Sequence, residues 1–359
     1  MPATPKIDVC IPMWNEEKRI GRVLDGLVAQ SFQDFTVSIY DNASTDGSMA
    51  ICDGYRDRLD ITVHQKALNI GQNANINRSF LNARGDYVAI CSANDVLAPD
   101  YLEKLAHALD GDPDASMAYA KALRVDQDYQ PIADQPVKWT FYSADHDDPV
   151  ERACAVIAEY RQPSNFFALY RRSILDQMMP QPFRFGGDNV FVCEAATYGK
   201  IHCVQDALVY QSVSPGLTTM NERMQHLMRM FSMDHERGLD VHSSLAALEQ
   251  LCPIVDMYHA HINMFRLAKV PAKLRMDLIE RGSAAFMKRR GEDVSKNVQR
   301  VINVAGENLP KLSGESFFHR LFIGQTLRKI DECLLLEQPE ALMELRSAYA
   351  DLYAKRPDQ

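Results

Sequence analysis

Apolar residues recur along this chain at two different spacings, and the change from one to the other near residue 220 divides it. Val9, Cys10 and Ile11 form a short apolar run that Pro12 to Asn15 break. Glu16 and Glu17 then open a helix in which Ile20, Val23, Leu24, Leu27 and Val28 recur at helical spacing. A second strand over residues 35–40 ends in the polar cluster Asp41, Asn42, Ser44, Asp46 and Gly47. The pattern then predicts a helix over 48–59, a strand over 61–65, a connection ended by Asn69 and Gly71, a helix over 72–83 and a strand over 87–91. A polar loop follows, then a helix with Pro99 near its start, a strand over 115–125, a loop over 126–150, a strand running into a helix over 164–175, and a helix from Asp188. Strands alternating with helices predict an α/β fold with a mostly parallel sheet. Beyond Met220 only helical patterns remain, rich in Leu, Met, Ala, Arg and Glu and punctuated by Pro253, Pro271 and Pro310. The expected organisation is an α/β domain over 1–220 and a helical domain over 221–359, whose wide apolar stripes must pack on the first domain or form an oligomer interface.

Composition narrows the partners. A chain of 359 residues holds a large α/β domain and a smaller second unit, and a net charge of −9 disfavours nucleic acid or an anionic membrane face. Eight cysteines are scattered without a CxxC pair, and Cys10, Cys91, Cys193 and Cys203 lie in apolar runs, which reads as buried, reduced thiols in a cytoplasmic protein. No signal-like start and no apolar run near the ~18 residues of a membrane span are seen, so a transmembrane segment is not expected. A cytoplasmic protein, soluble or peripheral at the inner membrane face, is the expectation. Lys288, Arg289 and Arg290 read as a solvated helix end.

In open parallel sheets, ligands sit at the carboxyl ends of the strands, where Asp41 stands. There it could accept a hydrogen bond from a base or ribose, or merely cap a turn, and its own position leaves the two readings even. The surrounding residues go further. Pro12, Trp14, Asn15, Glu16, Glu17, Gln30, Asp41, Asn42, Ser44, Thr45, Asp46 and Gly47, together with the stretches 69–105 and 185–211, resemble the family 2 glycosyltransferases, which are inverting enzymes of the GT-A fold. The resemblance covers roughly the first three fifths of the chain, and Asn42 replaces the second carboxylate of the family's Asp-Asp pair.

The resemblance implies transfer of a sugar from a nucleotide-sugar, most commonly a UDP-sugar, to a hydroxyl of a glycan or glycoconjugate in cell-surface polysaccharide synthesis. It implies donor binding by Pro12, Asn15, Glu16, Asp41, Asn69, Gly71, Asn94 and Asp95. Asp188, after Gly186 and Gly187, stands where the family carries its general base; by itself it also reads as a helix N-cap. The loop over 126–150 falls where the family often covers its acceptor site. The family's Asp-x-Asp position reads Ser92-Ala93-Asn94, with only the adjacent Asp95 charged, and Gln211 with Val213 or Ser214 replaces the later Arg and His ligand. A Mg or Mn ion held by Asp95 and Asn94 is therefore expected to be weakly bound, or the diphosphate is neutralised by cations such as Arg78, Arg84, Arg171 or Arg172. Two rival classes stand beside this reading. A sugar-phosphate nucleotidylyltransferase needs a Gly-rich loop where Pro12 to Glu16 stand. A non-catalytic binding subunit would fit the eroded metal motif but not the retention of Asp41, Asp95 and Asp188.

Overall fold

β1 (Ile7–Met13) is the hinge of the architecture, because its side chains alternate between two cores. Ile7, Val9, Ile11 and Met13 point into one, and Cys10 into the other. The computed structural model describes residues 5–126, 128–132, 141–160, 165–182, 186–212 and 253–308, with side chains to residue 297 in the last segment. The boundary expected near residue 220, and the metal-ligand positions 213 and 214, lie outside these residues.

The remaining elements are α1 (Ile20–Val28), β2 (Phe35–Asp41), α2 (Ser48–Asp53), β3 (Ile61–Val63), α3 (Gln72–Asn82), β4 (Tyr87–Ile90), β5 (Val96–Leu97), α4 (Tyr101–Gly111) and β6 (Ala115–Val125). They continue with α5 (Pro149–Glu159), β7 (Leu169–Arg171), α6 (Arg172–Leu175), α7 (Gly187–Tyr198), β8 (Lys200–Ser212), α8 (Pro253–Leu267) and α9 (Ala272–Asn308). One eight-stranded sheet runs β3-β2-β1-β4-β7-β6-β8-β5. β3, β2, β1 and β4 pair parallel, as do β6 and β8, while β7 is antiparallel to both β4 and β6, and β5 to β8. The sheet is thus mostly parallel, with β7 joining its two parallel blocks.

The expected helices start or stop slightly elsewhere. α1 begins at Ile20, since residues 16–19 form a turn closed by the Ile20 N–H on the Glu16 carbonyl at 2.9 Å. α4 begins at Tyr101, so Pro99 precedes the helix; its carbonyl accepts the Ser31 N–H at 2.8 Å. α5 was not anticipated, although Asp148 caps it through the Val150 N–H at 2.9 Å and Pro149 follows at its first turn. One core lies under α1 and α4. The other joins α3, α5 and α7 to α8 and α9, with Phe265, Leu278 and Phe286 fully or nearly fully buried. Burying such side chains is worth about 1.5–3 kcal/mol each, and this holds the C-terminal helices on the α/β layers. The basic run does not end a helix. Lys288, Arg289 and Arg290 lie within α9, where Arg289 reaches the carbonyls of Ile157 and Tyr160. The six described cysteines are free thiols, five of them buried.

Candidate active site

The carboxyl ends of β1 and β2 are laced together by the polar residues that interrupt the apolar pattern. Asn15 takes a left-handed turn (φ 53°), its N–H donates to Ser44 Oγ at 2.9 Å, and its Oδ1 accepts the Thr45 N–H at 2.8 Å. The Glu16 N–H donates to Ser48 Oγ at 2.7 Å, and Glu17 accepts the Gly47 N–H at 2.8 Å. Pro12 sits opposite Tyr40 in the β1–β2 ladder, and Trp14 stands exposed at the rim. Asp41 closes β2 in full burial, with the Ser44 N–H 3.2 Å and 3.3 Å from its two oxygens and the Gln65 amide donating to Oδ2 at 3.2 Å. A carboxylate offers about four acceptor positions, so these bonds leave capacity for a ligand.

Asn42 shows why an amide stands where the family carries a carboxylate. Its Nδ2 donates to Asn69 Oδ1 at 2.7 Å and to the Gly71 carbonyl at 3.3 Å, while its Oδ1 accepts the Ile70 N–H at 2.8 Å. Only a side chain that both donates and accepts can bridge this way. Asn69 and Gly71 therefore join the end of β2 to the start of α3. Asn75 of α3 donates to the Tyr40 carbonyl at 2.6 Å.

After β4, Asp95 is buried, and its Oδ1 accepts the Ser212 N–H at the end of β8 at 3.0 Å. Its carboxyl is pushed up to about 7, chiefly by burial, with the Ser212 N–H and Arg19 opposing and Glu16 assisting. Glu16 and Arg19 pair at 2.7 Å beside it, and burial also raises the Glu16 carboxyl. Both Asn94 oxygens are engaged, the side-chain one by the Ser92 hydroxyl and the carbonyl by Tyr129 Oη at 2.7 Å. Among the described residues, no three His, Cys, Asp or Glu side chains cluster closely enough to hold a metal ion.

Asp188 lies in the first turn of α7. It does not cap the helix: the cap position is Gly186, in the left-handed region (φ 72°), and a methyl there would stand 2.2 Å from Met257 Sδ on α8. At Gly187 a Cβ would meet the Pro182 carbonyl oxygen at 2.3 Å, so the chain approaches itself closely just before Asp188. Oδ2 of Asp188 accepts a hydrogen bond from Tyr160 Oη at 2.8 Å, and burial raises its carboxyl above the usual range. The segment leading to α7 is tied to α3, because the Gln181 N–H donates to Asn77 Oδ1 at 2.7 Å and Asn73 donates to the Pro182 carbonyl at 3.3 Å. α3 thus links the Asp188 segment to the Asn42 network.

Three of the four candidate arginines are occupied structurally. Arg78 binds the His64 carbonyl at 2.7 Å, Arg171 binds the carbonyls of Ala115, Leu109 and Asp112, and Arg172 pairs with Asp176 at 2.8 Å. Arg84 is placed by its N–H on Asp8 at 3.0 Å. Arg19 is a cation that acts on Asp95, and Arg22 stands 4.9 Å from the Tyr129 ring centroid. Sequence reasoning did not single out Arg19, Tyr129 or Tyr160. Arg19 carried a readable signal, an i, i+3 pairing with Glu16, whereas the two tyrosines arrive from distant parts of the chain.

Residues 8–179 match the sequence profile described as Glycosyl transferase family 2. This stretch is a family 2 glycosyltransferase module. The family's relatives include the abequosyltransferase RfbV of Salmonella typhimurium, 32% identical over 124 residues that make up 33% of this chain and 37% of that protein. The poly(ribitol-phosphate) beta-N-acetylglucosaminyltransferase TarS of Staphylococcus aureus is 31% identical over 108 residues, 29% of this chain and 19% of that one. The matches therefore span well under two thirds of these relatives' lengths. The crystal structure of S. aureus TarS has a TM-score of 0.57 to this chain at 19% identity, covering 97% of this chain and 54% of that one, which shows a shared GT-A fold. No helix among the described residues is long and apolar enough to cross a membrane.

Proposed function

We propose that this protein is an inverting glycosyltransferase that moves one sugar from a nucleotide-sugar, a UDP-sugar foremost, to a hydroxyl of a cell-surface glycan or glycoconjugate. The observation that carries the reading is Asp188: a carboxylate in the first turn of α7, raised in basicity by burial and hydrogen-bonded by a tyrosine hydroxyl, just beyond the family-matched residues 8–179. In the reaction, the acceptor oxygen forms a bond to the anomeric carbon as the bond from that carbon to the diphosphate oxygen breaks. The acceptor proton passes to Asp188, and the electron pair leaves with the nucleoside diphosphate. Asp41, with Asn15, Asn69 and Gly71 around it, is the proposed seat of the nucleoside, with Pro12 and Glu16 at its edge.

The chain's relatives support a glycan acceptor through their own names, an abequosyltransferase and a poly(ribitol-phosphate) acetylglucosaminyltransferase. Were Mg or Mn used, it would arrive with the nucleotide, with Asp95 as the protein carboxylate available to hold it. Such an ion would neutralise charge on the leaving diphosphate. The same reading places the enzyme in the cytoplasm, at or near the inner membrane face, with the C-terminal helices on the acceptor side or in an oligomer interface. Asp188→Asn tests it. Turnover falls about 100-fold or more while donor affinity holds, as loss of a general base requires. Retained turnover in that variant rejects Asp188 as the base.

A further inference from the structure

Outside the donor end, the described residues hold one polar chain that runs from the C-terminal helices into the site. Tyr160 terminates α5, where its backbone turns to an extended conformation, and its ring is buried to 5% exposure. Its hydroxyl donates to Asp188 Oδ2 at 2.8 Å. On the other side, the Arg289 guanidinium of α9 donates to the carbonyls of Ile157 and Tyr160. The last carbonyls of a helix have no partner within it and carry its negative partial charge, so a planar, doubly donating cation fits that end. Further back on α9, Arg281 binds Asp148 at 3.3 Å and also Glu151, at the start of α5. α9 therefore grips α5 at both ends, and the grip at the far end falls on the residue that holds Asp188.

We infer that Tyr160 is a positioning residue for the Asp188 base, and that Arg289 fixes Tyr160 by gripping the end of α5. This rests on the reading of Asp188 as the base. The Tyr160 hydroxyl binds one carboxylate oxygen and stabilises the charged form, against the burial that disfavours it. It also holds the carboxylate in one rotamer, which is what near-attack geometry needs. The titratable and charged groups around the pair are Tyr142 before α5, Glu159 beside Tyr160, Tyr170 on β7, His261 on α8 and Arg289 on α9. The tyrosines are held neutral by burial, burial likewise keeps His261 neutral near pH 7, and Arg289 stays cationic.

The test is carboxyl-13C NMR titration of the full chain labelled at aspartate Cγ, with the Asp188 resonance assigned by its absence in Asp188→Asn. Tyr160→Phe moves the Asp188 midpoint upward by about one unit, the loss of a hydrogen bond to a charged group. Arg289→Met moves it in the same direction, and Arg289→Lys restores part of the shift without touching the buried ring. Tyr170→Phe is the control: its hydroxyl donates to the Phe166 carbonyl at 2.8 Å, so this variant loses a buried bond of the same kind and leaves the Asp188 midpoint in place. An unmoved midpoint in folded Tyr160→Phe overturns the inference. An unmoved midpoint in Arg289→Met removes the Arg289 step, and this variant also serves if Tyr160→Phe does not fold. Retained turnover in Asp188→Asn would reject the base assignment alone, whatever the titration shows.

Discussion

His261 on α8 offers a direct measure of how firmly the C-terminal helices sit on α7. Its ring is buried, with Nδ1 2.8 Å from the Met257 carbonyl and Nε2 2.7 Å from Asn189 Oδ1, one residue past Asp188. A neutral imidazole satisfies both as the Nδ1–H tautomer, with the Asn189 amide turned to offer its NH2 to Nε2. The imidazole is lowered to about 4, chiefly by burial, with the Met257 bond opposing and the nearby Arg289 assisting. Because the folded value lies below the unfolded value of about 6.5, the unfolded chain binds the extra proton, and stability falls as pH falls. The contribution is intact above about 6.5, is lost progressively between about 6.5 and 4, and changes no further below. Between pH 8 and pH 5 this amounts to about 2 kcal/mol. Buried Asp95 and Glu194, both pushed up to about 7 by burial, change stability in the opposite sense over much of the same range. The readout is therefore the difference between wild type and His261→Gln, taken from urea unfolding at each pH. That difference should shrink by about 2 kcal/mol on going from pH 8 to pH 5. A constant difference would show that the ring is not held neutral against Asn189, and the seat of α8 on α7 would be refuted.

Two further outcomes are expected. Gly186→Ala destabilises the chain by about 1–3 kcal/mol in urea unfolding, mostly through its left-handed backbone because the flexible Met257 side chain can yield; an unchanged midpoint would refute the left-handed entrance to α7. Asp95→Ala abolishes Mn-stimulated UDP binding in calorimetry and leaves metal-free UDP binding nearly unchanged, and a Mn ion retained by the nucleotide-free protein would refute the weak-site account.

The alternation of strands and amphipathic helices was legible because each pattern is local: β1 must offer Ile7, Val9, Ile11 and Met13 to one face, and α1 its stripe to the same core. Asp41 stood out as a candidate for a related local reason, since polar residues that end apolar strands stand where open sheets take ligands, whereas Asn69 and Gly71 were named through the family resemblance. Asp188 was named as a candidate base only through its motif, because a carboxylate near a helix start reads equally well as a cap. Tertiary structure alone decided the partner of Asp188. Tyr160 is distant in sequence from Asp188, and Arg289 is farther still from Tyr160; no spacing rule connects residues that meet only when α5, α7 and α9 share a core. The run Lys288 to Arg290 looked solvated for the same reason: a sequence shows charge, but not the unsatisfied carbonyls at the end of α5 that draw Arg289 inward. Asn42 likewise read as a lost carboxylate until the fold brought Asn69, Ile70 and Gly71 around it and made an amide the side chain that can serve them all.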